Sequence, residues 1–272
     1  MPELPEVETV ARQLAPQVEG RKLVAVRLRD PLLKCAPGAK TPRGALGRRI
    51  QEVRRHGKQV LFSLENGDGA RPLHLGIHLR MTGRLSYVAD VPRRIDRLRA
   101  RLDLDRGAVL FLDVRRFGTL RWCADPEELA PGAVDPTSVA FTSEHLAALI
   151  GDSRQEIKPW LLRQDRLVGL GNIYCSEILH VARIDPRREA RDLKAQEIDA
   201  VHRATVDVLA RAIENCGTTF SDFQDAHGVT GSYQEYLAVY GREGEPCPRC
   251  GAEVSRIVQQ QRSTFYCSGC AS

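Results

Sequence analysis

The sequence predicts an α+β protein of several domains, with an N-terminal β-sandwich or barrel behind a leading helix, a helical domain, and a C-terminal metal-binding hairpin. Three observations predict it. The first 123 residues hold short alternating segments, residues 143–215 have helical periodicity, and two Cys-x2-Cys pairs lie near the end. With 272 residues, the chain can form two domains, or one large domain with an appendage.

The region 1–123 begins with a helix and continues with strands. Val7, Val10, Ala11 and Leu14 recur at helical spacing, and Pro5 suits the first turn of a helix. The alternating segments that predict strands are 23–28, 60–64, 73–79, 99–104 and 108–112. A Gly-rich turn at 65–69 separates two of them, and such spacing indicates an antiparallel sandwich or barrel.

A linker and a helical domain follow. Residues 124–137 are rich in Pro, Gly and acid and lack periodicity, which indicates a linker. The predicted helices of the domain 138–238 are 144–150, 157–162, 172–181 and 195–215. The polar loop 218–235 is unusually long, and such loops are usually functional or mobile. The last predicted domain is 239–272.

The last domain carries a predicted metal site. Sixteen residues separate one Cys-x2-Cys pair from the other, a spacing typical of a four-cysteine zinc ribbon; the ligands are Cys247, Cys250, Cys267 and Cys270. Four thiolates leave no open position, so we expect one structural zinc ion. Arg262 lies near the hairpin tip, where it either contacts phosphate or is simply solvated.

Composition and charge restrict the class of protein. The net charge of +5 permits a polyanionic partner without requiring one. There is no run of about 18 apolar residues and no signal-peptide pattern at the N-terminus, so we expect a cytoplasmic protein without a membrane span. Nothing in the sequence indicates an oligomer, and we expect a monomer.

The N-terminus has two interpretations. If Met1 is removed, Pro2 presents a secondary amine that can attack an aldehyde-like carbon, and Glu3 can supply a proton. Alternatively, the segment only starts a helix, with Glu6 and Glu8 at the positive end of its dipole.

Several motifs in order resemble the bacterial formamidopyrimidine-DNA glycosylases over essentially the whole chain. They are MPELPEVET at the start, HLRMTGRL at 78–85, DVRRFG at 113–118, IKPWLL at 157–162, GLGNIYCSEIL at 169–179, GTTFSDF at 217–223 and VYGREGEPC at 239–247. The resemblance implies a β-sandwich, a helix–two-turn–helix DNA-binding domain and a zinc ribbon. It also implies that the loop 217–235 folds over a flipped base.

The resemblance implies roles for individual residues. Pro2 would attack C1′ of the damaged nucleotide and Glu3 would act as the acid. Lys58, otherwise a charged residue at a strand edge, would take part in β-elimination. Arg262 would grip the phosphate beside the lesion and assist δ-elimination, and Asn172 would bind that same phosphate.

Other residues would contact the DNA. Met81, Arg115 and Phe117 would fill the void left by the extruded base, although without the motif Met81 and Phe117 would be taken as core residues. Further expected phosphate contacts are His78, Arg97, Arg154, Lys158 and Tyr240.

The sequence departs from the family pattern at five positions. Many members have Gly at the positions of Arg80 and Gln261 and Pro at that of Val114. Ile95 and Arg97 stand where the family often has two histidines; Arg97 can replace a phosphate contact by charge, and Ile95 cannot.

The function implied is a base-excision repair enzyme for duplex DNA that contains an oxidised purine or an abasic site. It would remove the base through a Pro2 Schiff base and nick the strand by β,δ-elimination. One alternative is an endonuclease VIII-like enzyme for oxidised pyrimidines, which would share the Pro-Glu start and the ribbon. The other is a non-catalytic DNA-binding protein, which a retained Met1 would favour.

Overall fold

The structure, a computed structural model, describes residues 1–65, 71–218 and 231–271. Most of the predicted turn at 65–69 and residues 219–230 of the predicted loop lie outside the described residues. The chain divides into two compact units. One holds Met1–Pro131 with Asn215–Ser232, and the other holds Gly132–Glu214 with Tyr233–Ser272.

The first unit contains the predicted β-sandwich. One sheet has the order β1-β6-β7-β5, with β1 at Leu23–Leu28, β5 at Gly83–Val88, β6 at Leu98–Leu104 and β7 at Ala108–Asp113. The other has the order β2-β3-β4-β8, with β2 at Ile50–His56, β3 at Gln59–Leu64, β4 at Leu73–His78 and β8 at Thr119–Cys123. The helices are α1 at Leu4–Val18, α2 at Pro31–Lys34 and a 3-10 turn at Pro126–Leu129.

One apolar core joins both sheets to α1. Val10 and Leu14 of the helix, Phe62 of β3 and Phe111 of β7 are all buried in it. Removing this much aromatic and aliphatic surface from water is the main stabilising contribution to the unit. The packing of α1 in this core therefore fixes the position of its first residues.

The second unit carries the helices and the hairpin. Its helices are α3 at Ser143–Ile150, α4 at Ile157–Leu161, α5 at Asn172–Ala182 and α6 at Ala195–Glu214, with 3-10 turns at Ala190–Asp192 and Tyr233–Tyr236. Its strands, β9 at Val254–Gln259 and β10 at Arg262–Cys267, pair in antiparallel register. The helical periodicity predicted all four α-helices. Among the described residues, no helix has the length and apolar character needed to cross a membrane.

Candidate active site and DNA-binding elements

The two N-terminal residues of interest lie at the buried start of α1. Pro2 is buried, and Glu3, the N-cap residue, is 3% exposed. The backbone N–H of Glu3 donates to Oε2 of Glu6 at 2.7 Å, and Pro5 stands in the first turn. The segment therefore starts a helix, as the second interpretation predicts. It also leaves Pro2 in front of a fixed helix terminus, so the two interpretations are compatible.

The second carboxylate oxygen of Glu6 holds a distant part of the same unit. Its Oε1 accepts from the backbone N–H of Thr218 at 2.7 Å and from the Thr218 hydroxyl at 3.1 Å. Gly217 has φ +74°, and a Cβ there would lie 2.5 Å from Glu6 Oε1. Thr218, the last described residue before the gap, is thus tied to the helix start. Sequence reasoning assigned Glu6 only to the helix dipole and missed this contact.

Lys58 lies in the turn between β2 and β3 and is 7% exposed. Its turn is held by the buried Arg55, which pairs with Glu8 of α1 at 2.9 Å and donates to the carbonyl of Gly57 at 3.3 Å. Glu8 and Arg55 therefore connect the Lys58 turn to the helix that begins beside Pro2. A solvated lysine at a strand edge would be far more exposed, so that alternative is wrong.

His78 ends β4 beside this turn. Its Nδ1 accepts from the backbone N–H of Arg80 at 3.0 Å, which leaves the ring proton on Nε2. Burial, and then the charges of Arg80 and Lys58, lower the pKa of His78 to about 3. At neutral pH the ring is therefore an uncharged donor through Nε2.

The void-filling candidates are exposed. Met81 is 41% and Phe117 is 53% exposed, so the core-packing alternative is wrong for both. The Arg115 guanidinium lies 5.1 Å from the centroid of the Phe117 ring, within cation–π range. The hydroxyl of Thr82, the residue after Met81, accepts from the backbone N–H of Arg115 at 3.1 Å. The two turns that carry the three side chains are thus joined.

Lys158 corrects an expectation. The side chain is 0% exposed, and Nζ donates to Asn172 Oδ1 at 2.6 Å, to Thr264 Oγ1 at 2.8 Å and to the Ser263 carbonyl at 3.0 Å. Its ammonium group is thus enclosed and its three hydrogens are used. Lys158 is therefore not available to contact a phosphate. Its ammonium group instead holds Asn172 and the backbone and side chain of the Ser263–Thr264 segment.

Asn172 and the ribbon tip meet at this lysine. Asn172 Nδ2 donates to the Ser263 carbonyl at 2.9 Å, so the amide lies against the residue after Arg262. Arg262 itself is exposed at the start of β10. The predicted phosphate ligands Asn172 and Arg262 are thereby brought together within the second unit. Arg154 and Arg97 are also exposed, each in its own unit.

Tyr240 is positioned by a carboxylate that the sequence analysis did not single out. Glu177 of α5 is buried and accepts from the backbone N–H groups of Ala238, Val239 and Tyr240 at 2.8–3.0 Å. Burial raises the pKa of Glu177 against the effect of these bonds. The sequence signal was the single acidic residue of α5, a helix that is mostly apolar. Tyr240 also packs edge-to-face on Phe265 at 5.1 Å.

The four predicted metal ligands form one cluster. Their sulfur atoms all lie within 4.8 Å of one another, with Cys250 3.4 Å from both Cys267 and Cys270, and Cys247 3.8 Å from Cys270. A tetrahedral zinc with bonds of about 2.3 Å needs sulfur atoms about 3.8 Å apart. The donor set therefore fits one structural zinc ion.

Known proteins match this arrangement along the whole chain. Three family descriptions apply: the formamidopyrimidine-DNA glycosylase N-terminal domain at residues 1–120, the formamidopyrimidine-DNA glycosylase H2TH domain at 133–224, and the zinc finger found in FPG and IleRS at 244–272. The formamidopyrimidine-DNA glycosylase of Pelotomaculum thermopropionicum is 41% identical, with 99% of each chain covered. The chain belongs to the formamidopyrimidine-DNA glycosylase family. It is accordingly a bifunctional DNA glycosylase and abasic-site lyase.

Solved structures agree with this membership. The MutM (FPG) protein of Thermus thermophilus is 40% identical with a TM-score of 0.84, and 99% of this chain and 98% of that one are covered. The Lactococcus lactis FPG is 32% identical with a TM-score of 0.87 and full coverage of both chains, in a complex with DNA that contains an oxidised pyrimidine. The same enzyme, covered to 99% on both sides at 31% identity and a TM-score of 0.87, is known with abasic-site DNA.

The two departures at which many members have glycine share a conformation. Arg80 has φ +57° and Gln261 has φ +61°, in the left-handed region where glycine is favoured. The glycines that many members have at these positions therefore suit the backbone, and this chain keeps the same conformation with larger side chains. At the ribbon tip, Gln260 also has φ +45°, so the turn before Arg262 contains two left-handed residues.

Proposed function

We propose that this glycosylase removes oxidised purines, such as 8-oxoguanine and formamidopyrimidines, from duplex DNA and then cleaves the abasic strand. The observation that carries the proposal is the fixed start of α1, where Glu6 holds the backbone of Glu3 and leaves Pro2 as the residue in front of the helix. Solved complexes of the Lactococcus lactis FPG with DNA that contains Fapy-dG and with abasic-site DNA support a substrate of this class.

In the proposed chemistry, the amine of Pro2 attacks C1′ of the damaged nucleotide. The glycosidic bond breaks and the base leaves, while Glu3 protonates the sugar ring oxygen or the departing base. Ring opening gives an iminium ion between Pro2 and the sugar. Because the iminium withdraws electrons, the neighbouring sugar carbons lose protons more readily, and the strand breaks first on the 3′ side and then on the 5′ side. Water finally releases Pro2.

The remaining candidates position the DNA. Lys58 assists β-elimination, and His78, which pairs with the residue after Lys58, meets a phosphate through its neutral Nε2–H. Arg262 and Asn172 bind the phosphate beside the lesion, with Lys158 behind them. Arg97, Arg154 and Tyr240 contribute further phosphate contacts. Such contacts set register without reading sequence.

A buried base cannot be reached in the duplex, so the enzyme must extrude it. Met81, Arg115 and Phe117 are exposed side chains on two linked turns, and side chains of this kind fill the resulting void. We propose that the loop 217–235, whose first part is held by Glu6 and whose middle lies outside the described residues, covers the flipped base. We further propose that the protein works as a monomer in the bacterial cytoplasm.

The test separates the two chemical steps. Glu3→Gln removes the acid and leaves the Pro2 amine, so we expect loss of base excision from an 8-oxoguanine duplex and retained cleavage of a preformed abasic site. Equal loss of both activities would contradict this assignment of roles. Faster cleavage of thymine glycol than of 8-oxoguanine duplexes by the native enzyme would instead favour the alternative, an oxidised-pyrimidine enzyme.

A further inference from the structure

Three buried charged side chains, linked to Arg116 above them, lie under the loop 114–117 that carries Arg115 and Phe117. Asp30, Arg99 and Asp113 are 6%, 3% and 2% exposed. Arg99 donates to Asp113 at 3.3 Å and lies 3.0 Å from a carboxylate oxygen of Asp30. Arg116 then donates to Asp30. None of the proposed catalytic steps uses Asp30, Arg99 or Arg116.

Asp113 holds both ends of the loop. Its Oδ1 accepts from the backbone N–H of Arg115 at 3.2 Å, and its Oδ2 accepts from that of Gly118 at 2.7 Å. Thr82 donates its hydroxyl to Oδ1 at 2.5 Å, which attaches the Met81 turn to the same carboxylate. A Cβ at Gly118 would lie 2.5 Å from the Phe111 ring, so a larger residue at this end of the loop would clash with that ring.

Asp30 holds the middle of the loop. Arg116 has φ +63°, a conformation that side-chain-bearing residues rarely adopt, and its guanidinium makes two bonds to Asp30, at 2.6 and 3.1 Å. Asp30 is itself fixed, because it also accepts from the backbone N–H groups of Leu32 and Leu33 at the start of α2. With the Arg116 bond as the largest cause, the pKa of Asp30 falls to about 2, so the anchor stays ionised at neutral pH.

We propose that Asp30 and Arg116 are positioning residues, which hold the loop 114–117 in the shape that it needs to enter the DNA. Arg115 and Phe117 then insert as a preformed unit, and the cost of ordering them is met when the protein folds rather than when it binds. The proposal rests on the proposed function, because it presumes that a base is extruded and its void filled.

The competing role for Arg116 is a direct phosphate contact, since it is partly exposed. The two roles differ in what the loss of Asp30 does. If Arg116 positions the loop, the loss of its Asp30 partner slows insertion as much as the loss of Arg116 itself. If Arg116 binds phosphate, releasing it leaves that contact available, and only the Arg116 variant weakens binding.

The experiment compares Asp30→Asn, Arg116→Gln and the double variant with native protein. The matched control is Asp103→Asn, because Asp103 likewise pairs with two arginines, Arg27 and Arg101, away from the loop. Stopped-flow fluorescence of 2-aminopurine beside the lesion in an 8-oxoguanine duplex follows insertion. Cleavage of a single-stranded abasic oligonucleotide follows the chemistry alone, because a single strand has no void to fill.

We expect about tenfold slower insertion and base excision for Asp30→Asn and for Arg116→Gln, and no further loss in the double variant. Single-strand cleavage, the salt dependence of binding and the control should match native protein. Arg116→Gln leaves the Asp30–Arg99 pair in place. It therefore tests the positioning role even if Asp30→Asn destabilises the fold.

Native insertion rates in Arg116→Gln would overturn the inference. The inference would also be overturned if only Arg116→Gln slowed insertion and its slope of log binding constant against log salt concentration were smaller by about one. That result would show that Arg116 contacts a phosphate. A native protein that cleaves neither substrate would instead refute the proposed function itself. The failures of the two proposals are thus distinguishable.

Discussion

Replacing Lys158 by Met tests the corrected role of this lysine. Methionine has a similar length and fills the enclosed space, but it donates nothing. Three acceptors lose a charged partner: Asn172 Oδ1, the Ser263 carbonyl and Thr264 Oγ1. If Lys158 organises the ribbon tip, the substitution should cost stability first and DNA affinity only as a consequence.

The structure sets the size of the cost. Hydrogen bonds from a charged donor contribute about 1.5–3 kcal/mol each. The Ser263 carbonyl keeps its bond from Asn172, and the Thr264 hydroxyl keeps its bond to Gln259 at 2.7 Å, so these groups remain paired. Removing the ammonium also recovers several kcal/mol of desolvation. We therefore expect a net loss of about 3 kcal/mol, which lowers the melting temperature by roughly 6–12 °C.

Thermal unfolding of the zinc-loaded protein and a salt series of DNA binding provide the measurements. Lys194→Met is the control, because it removes the same charge from an exposed position in the same unit. We expect weaker binding with an unchanged salt slope for Lys158→Met. A native melting temperature combined with a slope smaller by about one would refute the reasoning, since Lys158 would then contact phosphate itself.

Three further predictions concern the ribbon and His78. Gln261→Gly relieves a left-handed residue beside Arg262 and should stabilise the protein by about 1 kcal/mol, seen as a higher melting temperature; an unchanged or lower value would contradict the strain argument. Zinc chelation should unfold the ribbon and abolish duplex binding, while cleavage of a single-stranded abasic oligonucleotide persists; loss of both would mean that zinc supports the catalytic unit too. Because the pKa of His78 is lowered to about 3, its contribution to stability is present above about 6.5 and is lost as the pH falls below it. When the pH is lowered from 7.5 to 5, the free energy of unfolding of native protein should therefore fall by up to about 2 kcal/mol more than that of His78→Gln, as measured by denaturant titration. Equal decreases in the two proteins would show that His78 is not held neutral.

Periodicity and spacing predicted the elements that have regular hydrophobic patterns. The four helices of the second unit repeat clearly, strands β3 and β7 are short apolar runs, and the cysteine spacing predicted the zinc cluster. Strand β2 was not predicted, because one of its inward positions holds Arg55 instead of an apolar residue. The buried guanidinium is stabilised there by its pairing with Glu8. Hydrophobic alternation cannot reveal such a strand.

The candidate site was predictable in its residue types but not in its connections. Pro2, Glu3, Lys58 and Arg262 belong to recognisable motifs, whereas their supports come from far along the chain. Nothing local to Asp30 indicates that it pairs with Arg116, 86 residues away. Lys158 shows that a motif does not reveal burial either. As a lysine in a DNA-binding motif it was expected at the surface, but it lies fully enclosed.

Borohydride trapping shows whether Pro2 is the nucleophile. Protein whose N-terminal mass shows that Met1 is absent is incubated with an 8-oxoguanine duplex and borohydride, beside a preparation in which Met1 is retained. We expect a covalent protein–DNA adduct through Pro2 in the first preparation and none in the second, because acylation by Met1 removes the nucleophilic amine of Pro2. Equal adducts in both, or none with the processed protein, would contradict it.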